Sequence, residues 1–153
     1  MSLSSLDTNI LLYAAKEDCV EHQSCRDLLE KAVDQADGWI IADQVLIELY
    51  KALRNPKILS IPLSAPNAAA HILALREGLG VMHCCYTPEC WASLMANLEK
   101  SDFPYQRTHD AVLAVTLLHH GVKTFYTRNT RDFHQVGFDQ VINPVDGLQS
   151  PDF

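Results

Sequence analysis

The stretch LSSLDTNILLY, residues 3–13, contains the pattern that decides the fold. Residues 2–6 predict a buried β-strand that ends at Asp7, and Thr8 or Asn9 can cap a short helix that follows at once. A carboxylate placed where the chain leaves the core costs several kcal/mol in desolvation and repulsion unless a cation compensates it. The stretch therefore predicts a strand and a helix that hold a charged group at the edge of a sheet.

Three further acidic residues border or end apolar runs: Glu48 in QVLIELYKAL, Asp110 in RTHDAVLAV and Asp132 in YTRNTRDF. Glu48 and Asp110 also have ordinary explanations, because the stem of Glu48 can reach outward to solvent and Asp110 gains from the helix dipole in a first turn. The economical explanation for all four acids, Asp7 included, is that they converge on one or two divalent metal ions.

Strand-like and helix-like segments alternate along the whole chain, which predicts an α/β fold with a parallel sheet wrapped by helices. We expect one domain that covers residues 1–153, because this length suffices for one core. Ligands of such sheets collect at the carboxyl ends of the strands, where Asp7 would lie. The expected strands lie near residues 2–6, 38–42, 81–86, 123–129 and 137–144, and the expected helices include 22–34, 67–77, one capped by Asp43 and one that begins at His109 or Asp110.

The net charge of −7 argues against a broadly basic surface for nucleic acid, since nonspecific affinity comes mainly from Lys and Arg that neutralise phosphates. A nuclease with this composition must localise its positive charge. Several basic residues could form such a substrate-binding rim, or they could be ordinary solvated side chains. They are Lys51, Arg54, Lys57, Arg107, Arg128 and Arg131.

Cellular location and cysteine chemistry are also constrained. The first apolar segment has no basic leader or cleavage site, and no run approaches the roughly 18 apolar residues of a membrane span, so we expect a cytoplasmic protein that does not enter a membrane. The five cysteines are odd in number and predict reduced thiols. HCCYTPEC, residues 83–90, offers a structural zinc site as an alternative to buried apolar thiols, although no second ligand pair follows it.

The donor types favour Mg²⁺ or Mn²⁺, because both ions prefer oxygen ligands and need no histidine or cysteine cage. Two such ions can activate a water and stabilise the leaving oxygen of a phosphodiester, so no side-chain nucleophile is required. Acyl transfer has no support, since no G-x-S-x-G elbow is present, and no phosphate-cradling G-x-x-x-x-G-K-[ST] loop is present either.

The ordered set of motifs resembles the PIN-domain ribonucleases, in particular the VapC-type toxins of bacterial toxin–antitoxin modules. The motifs are LDTNILLY, VLIELYKAL, and HDAVLAVTLLHHG followed by a strand and YTRNTRDF. The resemblance covers essentially the whole chain. It implies a three-layer α/β/α fold with a central parallel sheet of four to five strands, dependence on Mg²⁺ or Mn²⁺, and endonucleolytic cleavage of RNA. It also implies a homodimer and a small antitoxin protein that neutralises the acidic site.

Position by position, the resemblance implies that Asp7, Glu48 and Asp110 are the core catalytic metal ligands. The fourth position is shared between Asn129 and Asp132, because related sequences often have an acid at either place. We favour Asp132 as the fourth catalytic ligand, with Asn129 as a supporting residue. Thr8 and Asn9 are expected to support the turn at Asp7 by hydrogen bonding.

Two other functions fit parts of the pattern. A noncatalytic PIN-like module that binds RNA or protein would share the fold, although such a module would usually have lost one of the acids. A phosphatase similar to the haloacid dehalogenases would also begin with an aspartate after the first strand, but its chemistry needs a second aspartate where this chain has Asn9. We therefore expect a metal-dependent endoribonuclease.

Overall fold

The computed structural model describes residues 2–145. Five strands and seven α-helices alternate in this part of the chain. The strands are β1 Leu3–Leu6, β2 Ile40–Ala42, β3 Met82–Cys84, β4 Val122–Tyr126 and β5 Gln140–Ile142. The helices are α1 Thr8–Ala15, α2 His22–Asp34, α3 Asp43–Leu53, α4 Ala65–Gly78, α5 Trp91–Leu98, α6 Thr108–His119 and α7 Thr130–Phe133.

All of the strand pairs are parallel, which confirms the predicted α/β fold. Strand β4 lies between β1 and β5, and β2 pairs with β3. A bridge between Ser4 and Trp39 joins the two sets, so the strands follow the spatial order β3-β2-β1-β4-β5. The chain moves outward from β1 in one direction through β2 and β3, and then returns to the other side of β1 as β4. The order therefore reverses between β1 and β4, where ligands of such sheets usually bind.

A continuous apolar core fixes this arrangement. Leu6, Ile10 and Phe125 are fully buried, and the Phe125 ring packs on Phe133 and Phe138 with centroid distances of 4.7 and 5.1 Å. Helix α1 packs on α2 and α3, and α3 packs on α4, whereas α5 packs on α6. Helix α6 also packs against β2 and β4, which fixes its position relative to the sheet. Across residues 2–145, no helix is long and apolar enough to cross a membrane.

Two predicted helix starts need correction. Asp7 itself caps α1, since its carboxylate accepts a hydrogen bond from Thr8 N at 2.8 Å, so neither Thr8 nor Asn9 is the cap. Asp43 is the first residue of α3 and not its cap, because its carboxylate turns to the guanidinium of Arg76 at 2.9 Å. Both corrections have the same cause: a cap depends on the backbone angles at the helix start and on where the side chain finds a partner.

Candidate active site

Asp7 lies at the carboxyl end of β1, beside the point where the strand order reverses. The residue is only 8% exposed. Its two carboxylate oxygens accept hydrogen bonds from Thr8 N and from Thr127 Oγ1, each at 2.8 Å. The backbone of Asp7 is held as well, because its N–H donates to the carbonyl of Tyr126 at 2.9 Å. The β1–β4 pair thus fixes both the position and the orientation of this carboxylate.

Glu48 projects from the middle of α3 and is held by two side chains. Thr8 Oγ1 lies 3.2 Å from Glu48 Oε2, and it also donates to the carbonyl of Val45 at 3.1 Å. Gln44 Nε2 donates to Glu48 Oε1 at 3.1 Å and to the carbonyl of His109 at 2.9 Å. Gln44 therefore connects the helix that carries Glu48 to the residue that precedes Asp110.

Asp110 and Asp132 complete the acidic group from the opposite side. Asp110 lies in the first turn of α6, and Asp132 lies in the short helix α7 that follows β4. Both are partly buried. The guanidinium of Arg107 contacts Asp132 Oδ1 at 3.1 Å. One basic side chain therefore partly balances a group of four acids.

The pKa values of two of these carboxylates, Asp7 and Asp110, are raised by their surroundings. Burial raises the pKa of Asp7 to about 6, and the charges of Glu48 and Asp132 raise it further, while hydrogen bonds from Thr127 and Thr8 act in the opposite direction. Burial also raises the pKa of Asp110 to about 6, assisted by the charges of Asp7, Asp132 and Glu48. The charges of Glu48 and Asp132 thus lie close enough to Asp7 and Asp110 to affect the protonation of those two carboxylates.

This donor set fits a hard divalent cation such as Mg²⁺ or Mn²⁺. All of its side-chain donors are oxygens, and each oxygen of Asp7 keeps a lone pair beyond the hydrogen bond that it already accepts. A cation among these carboxylates would favour their charged forms and would offset the repulsion that raises the pKa values of Asp7 and Asp110.

The side chains do not form a closed ligand set. Within residues 2–145, no group of three or more His, Cys, Asp or Glu side chains is arranged so that it could hold a metal ion. Glu48 turns to Gln44 and Thr8, and Asp132 turns to Arg107. The sequence predicted four carboxylates that converge, whereas the structure brings them into one electrostatic group with separate protein partners. In the segment 83–90, Cys84 and Cys90 are buried and Cys85 is exposed.

The expected supporting residues occupy the turn region but differ in what they contact. Thr8 supports Asp7 through its backbone N–H and uses its hydroxyl for Glu48. The side-chain oxygen of Asn9 accepts from Arg128 N at 3.3 Å, so Asn9 links α1 to the segment after β4. Asn129 is exposed and contributes its backbone N–H, which donates to Thr127 Oγ1 at 3.0 Å.

The basic residues of the predicted rim have different environments. Arg128 does not fit the proposed substrate-binding role, because its side chain is only 14% exposed and its guanidinium lies 3.8 Å from Glu21 Oε2. Arg107 forms an ion pair with Asp132. The guanidinium of Arg54 lies over the ring of Tyr50 and donates to its hydroxyl. Lys51 and Arg131 are exposed, and neither makes an ion pair with another residue between 2 and 145.

Two residues of the site were missed by the sequence reasoning. Thr127 is fully buried and donates to Asp7 across 120 positions of sequence. Gln44 reaches the His109 carbonyl across 65 positions. The available signals were that Thr127 lies near the carboxyl end of the predicted strand 123–129 and that Gln44 lies one helical turn before Glu48, where an i,i+4 hydrogen bond is possible.

Comparisons with known proteins agree with the fold. A model of the PIN domain matches residues 5–139. The chain is 39% identical over 149 residues to Ribonuclease VapC24 of Mycobacterium tuberculosis, a match that covers 92% of this chain and 96% of that protein.

Solved structures with lower identity share the fold. VapC20 of Mycobacterium tuberculosis, described as a toxin that cleaves the sarcin–ricin loop, matches with a TM-score of 0.60 and 16% identity over 80% of this chain and 86% of that one. DNA-bound VapBC from Salmonella typhimurium matches with a TM-score of 0.63 and 19% identity over 94% and 99%. FitAcB from Neisseria gonorrhoeae matches with a TM-score of 0.63 and 14% identity over 93% and 98%.

Proposed function

The chain belongs to the PIN-domain family, and from this premise we propose that it is a metal-dependent endoribonuclease and the toxin of a toxin–antitoxin pair. The observation that carries the proposal is the buried carboxylate of Asp7, which lies where the strand order reverses and feels the charges of Glu48 and Asp132. A ribonuclease with 39% identity over nearly the full length supports RNA as the substrate.

Asp7, Glu48 and Asp110 would hold Mg²⁺ or Mn²⁺, with Asp132 as the fourth acid. When bound, such an ion lowers the pKa of a coordinated water and neutralises charge on a phosphodiester. This donor set favours either ion over zinc, because it contains no histidine or thiolate.

The protein's own side chains orient this site. Thr8 and Thr127 fix the plane of the Asp7 carboxylate, and Thr8 with Gln44 fixes that of Glu48. Arg107 supplies positive charge beside Asp132, where it can also meet a backbone phosphate. These contacts limit the movement of both carboxylates before RNA arrives, which would reduce the ordering cost of the reaction.

A small antitoxin protein and a second copy of the chain are the partners that we propose. VapBC and FitAB assemblies are among the structural neighbours, and their likeness to this chain supports an antitoxin partner. The acidic net charge is suited to a partner segment with basic side chains, which would approach the carboxylates of the site. We also expect the protein to form a homodimer and to be located in the cytoplasm.

The proposal is tested by cleavage of a labelled single-stranded RNA by the purified protein. We expect cleavage with Mn²⁺ or Mg²⁺ and none with EDTA. Asp7→Asn should reduce the rate by more than the roughly 10- to 100-fold that loss of a supporting partner typically costs. The exposed Asp37→Asn is the matched control and should cut at the wild-type rate.

Full activity of Asp7→Asn, or full activity of the wild-type protein in EDTA, would contradict the proposal. RNA binding without cleavage under all metal conditions would instead favour the noncatalytic PIN-like module.

A further inference from the structure

A pocket opens beside Glu48, between α3, the start of α6 and the segment that follows β3. Its volume is about 740 Å³, which lies within the usual range of ligand clefts. We call it the Tyr86 pocket. The residues that matter for its chemistry are Ile47, Glu48, Lys51, Cys85, Tyr86 and Val112.

The Tyr86 pocket is continuous with the acidic site. Glu48 lines it directly, and so does His109, the neighbour of Asp110. A second, more polar pocket of about 320 Å³ is lined by Arg107, Asp110 and Asp132. Both pockets therefore reach acids of the site: Glu48 lines the first, and Asp110 and Asp132 line the second.

The wall of the Tyr86 pocket combines apolar surface with one cationic group. Ile47 is 68% exposed and Tyr86 is 38% exposed, so both offer apolar surface to a ligand. Lys51 lines the pocket and makes no ion pair within the described part of the chain. An aromatic and aliphatic surface beside a free lysine matches the flat base and the anionic phosphate of a nucleotide.

We propose that the Tyr86 pocket binds one nucleotide of a single-stranded RNA next to the scissile phosphate, with its base against Tyr86 and Ile47 and its phosphate near Lys51. This inference rests on the proposed ribonuclease function and adds a substrate subsite to it. The pocket is thereby a site that selects single-stranded over double-stranded RNA, because only an unpaired base can turn into it.

The first test measures the affinity of Asp7→Asn protein for a fluorescent single-stranded RNA in Mg²⁺, so that the RNA stays intact. Adding Tyr86→Ala should weaken binding roughly 5- to 150-fold, the range that loss of a base–aromatic stack gives. Tyr86→Phe should bind like the parent, since it keeps the ring. Lys51→Ala should weaken binding. It should also reduce the magnitude of the slope of log K against log[salt] by about 0.7, the value for one phosphate contact with a single strand.

Lys123→Ala is the charge-matched control for Lys51→Ala. Lys123 is exposed near the start of β4, at the end of the sheet opposite the acids, and its removal should leave affinity unchanged. Thermal unfolding of each variant checks that the fold is intact. Equal RNA affinity of the parent, Tyr86→Ala and Lys51→Ala would overturn the inference and leave the pocket to a protein partner.

A second readout uses Cys85, which is the exposed member of the five cysteines and lines the pocket. Saturating RNA should slow the reaction of Cys85 with a maleimide, and an unchanged rate would also overturn the inference. The proposed function is judged separately by cleavage with the wild-type protein. If the wild type cuts RNA while both pocket variants cut with unchanged KM and kcat, only the subsite falls. If the wild type neither binds nor cuts RNA, both fall.

Discussion

At the scale of single residues, Asp7 is the more deeply buried of the two carboxylates whose pKa is raised to about 6. The residue is only 8% exposed, and its carboxylate accepts one hydrogen bond from a backbone donor and one from a side-chain donor. Those two hydrogen bonds lower its pKa but do not offset burial and the neighbouring charges. A residue that strains the fold in this way is typical of a functional site, since packing alone would favour a neutral side chain.

The pH dependence of stability follows from the sign of this shift. The pKa of Asp7 is about 6 in the folded chain, against about 3.9 for an unfolded carboxyl group. The folded chain then binds more protons between these values, so the free energy of unfolding falls as pH rises through this window. In EDTA, Asp7→Asn should exceed the wild type in stability by up to about 3 kcal/mol at pH 7, and by much less near pH 4.

Urea unfolding in EDTA at several pH values between 4 and 7 measures this difference. The exposed Asp37→Asn serves as the control and should differ from the wild type by the same small amount at each pH. Mn²⁺ should stabilise the wild type more than Asp7→Asn, because a ligand that binds the folded state raises its stability. If the stability gain of Asp7→Asn is the same at pH 4 and pH 7, the charge of Asp7 does not destabilise the folded chain, and the account of its pKa is contradicted.

At the scale of elements, the sequence predicts helices and strands well but their termini poorly. The apolar stripe of α2 predicts residues 22–34, and the helix is His22–Asp34. The cap residues of α1 and α3 were wrong, because capping depends on local backbone angles that periodicity does not reveal. The predicted place of Arg128 in a substrate-binding rim was wrong for a related reason. Its partner Glu21 lies far away in sequence, and only the assembled fold brings the two together.

Gln44 is the element-scale feature with the clearest consequence, since it joins α3 to the start of α6. Gln44→Leu removes both hydrogen bonds, to Glu48 and to the His109 carbonyl. We expect Mn²⁺ affinity to fall roughly 10-fold, as is typical when a partner that orients a ligand is lost. We also expect kcat to fall more than KM rises, because Gln44 positions a carboxylate and does not itself bind RNA.

Gln23→Leu is the matched control. Gln23 makes the same i,i+4 contact with Asp27 at 2.8 Å on the exposed surface of α2, away from the acids. Isothermal titration with Mn²⁺ and steady-state cleavage kinetics would measure both variants. Equal Mn²⁺ affinity and equal kcat for Gln44→Leu and Gln23→Leu would contradict a positioning role for Gln44.

At the scale of the whole molecule, the strand order β3-β2-β1-β4-β5 is what assembles the site. It places Asp7 beside Thr127 at the carboxyl ends of β1 and β4, and α6 packs against β4 and β2. Local patterns predict each strand but not their order, which is why Thr127 and Gln44 escaped notice in the sequence. The acids themselves could be predicted, because a carboxylate at the end of an apolar run is visible without knowledge of tertiary structure.

The central claim, that these acids form a divalent cation site for RNA cleavage, is tested most directly by anomalous X-ray diffraction from crystals soaked in Mn²⁺. The account predicts an anomalous peak between Asp7, Glu48 and Asp110, with Glu48 still accepting a hydrogen bond from Gln44 and the side chain of Asp132 drawn away from Arg107. The peak should be absent in Asp7→Asn crystals soaked in the same way. Anomalous density elsewhere, with none among these carboxylates in the wild type, would contradict the account.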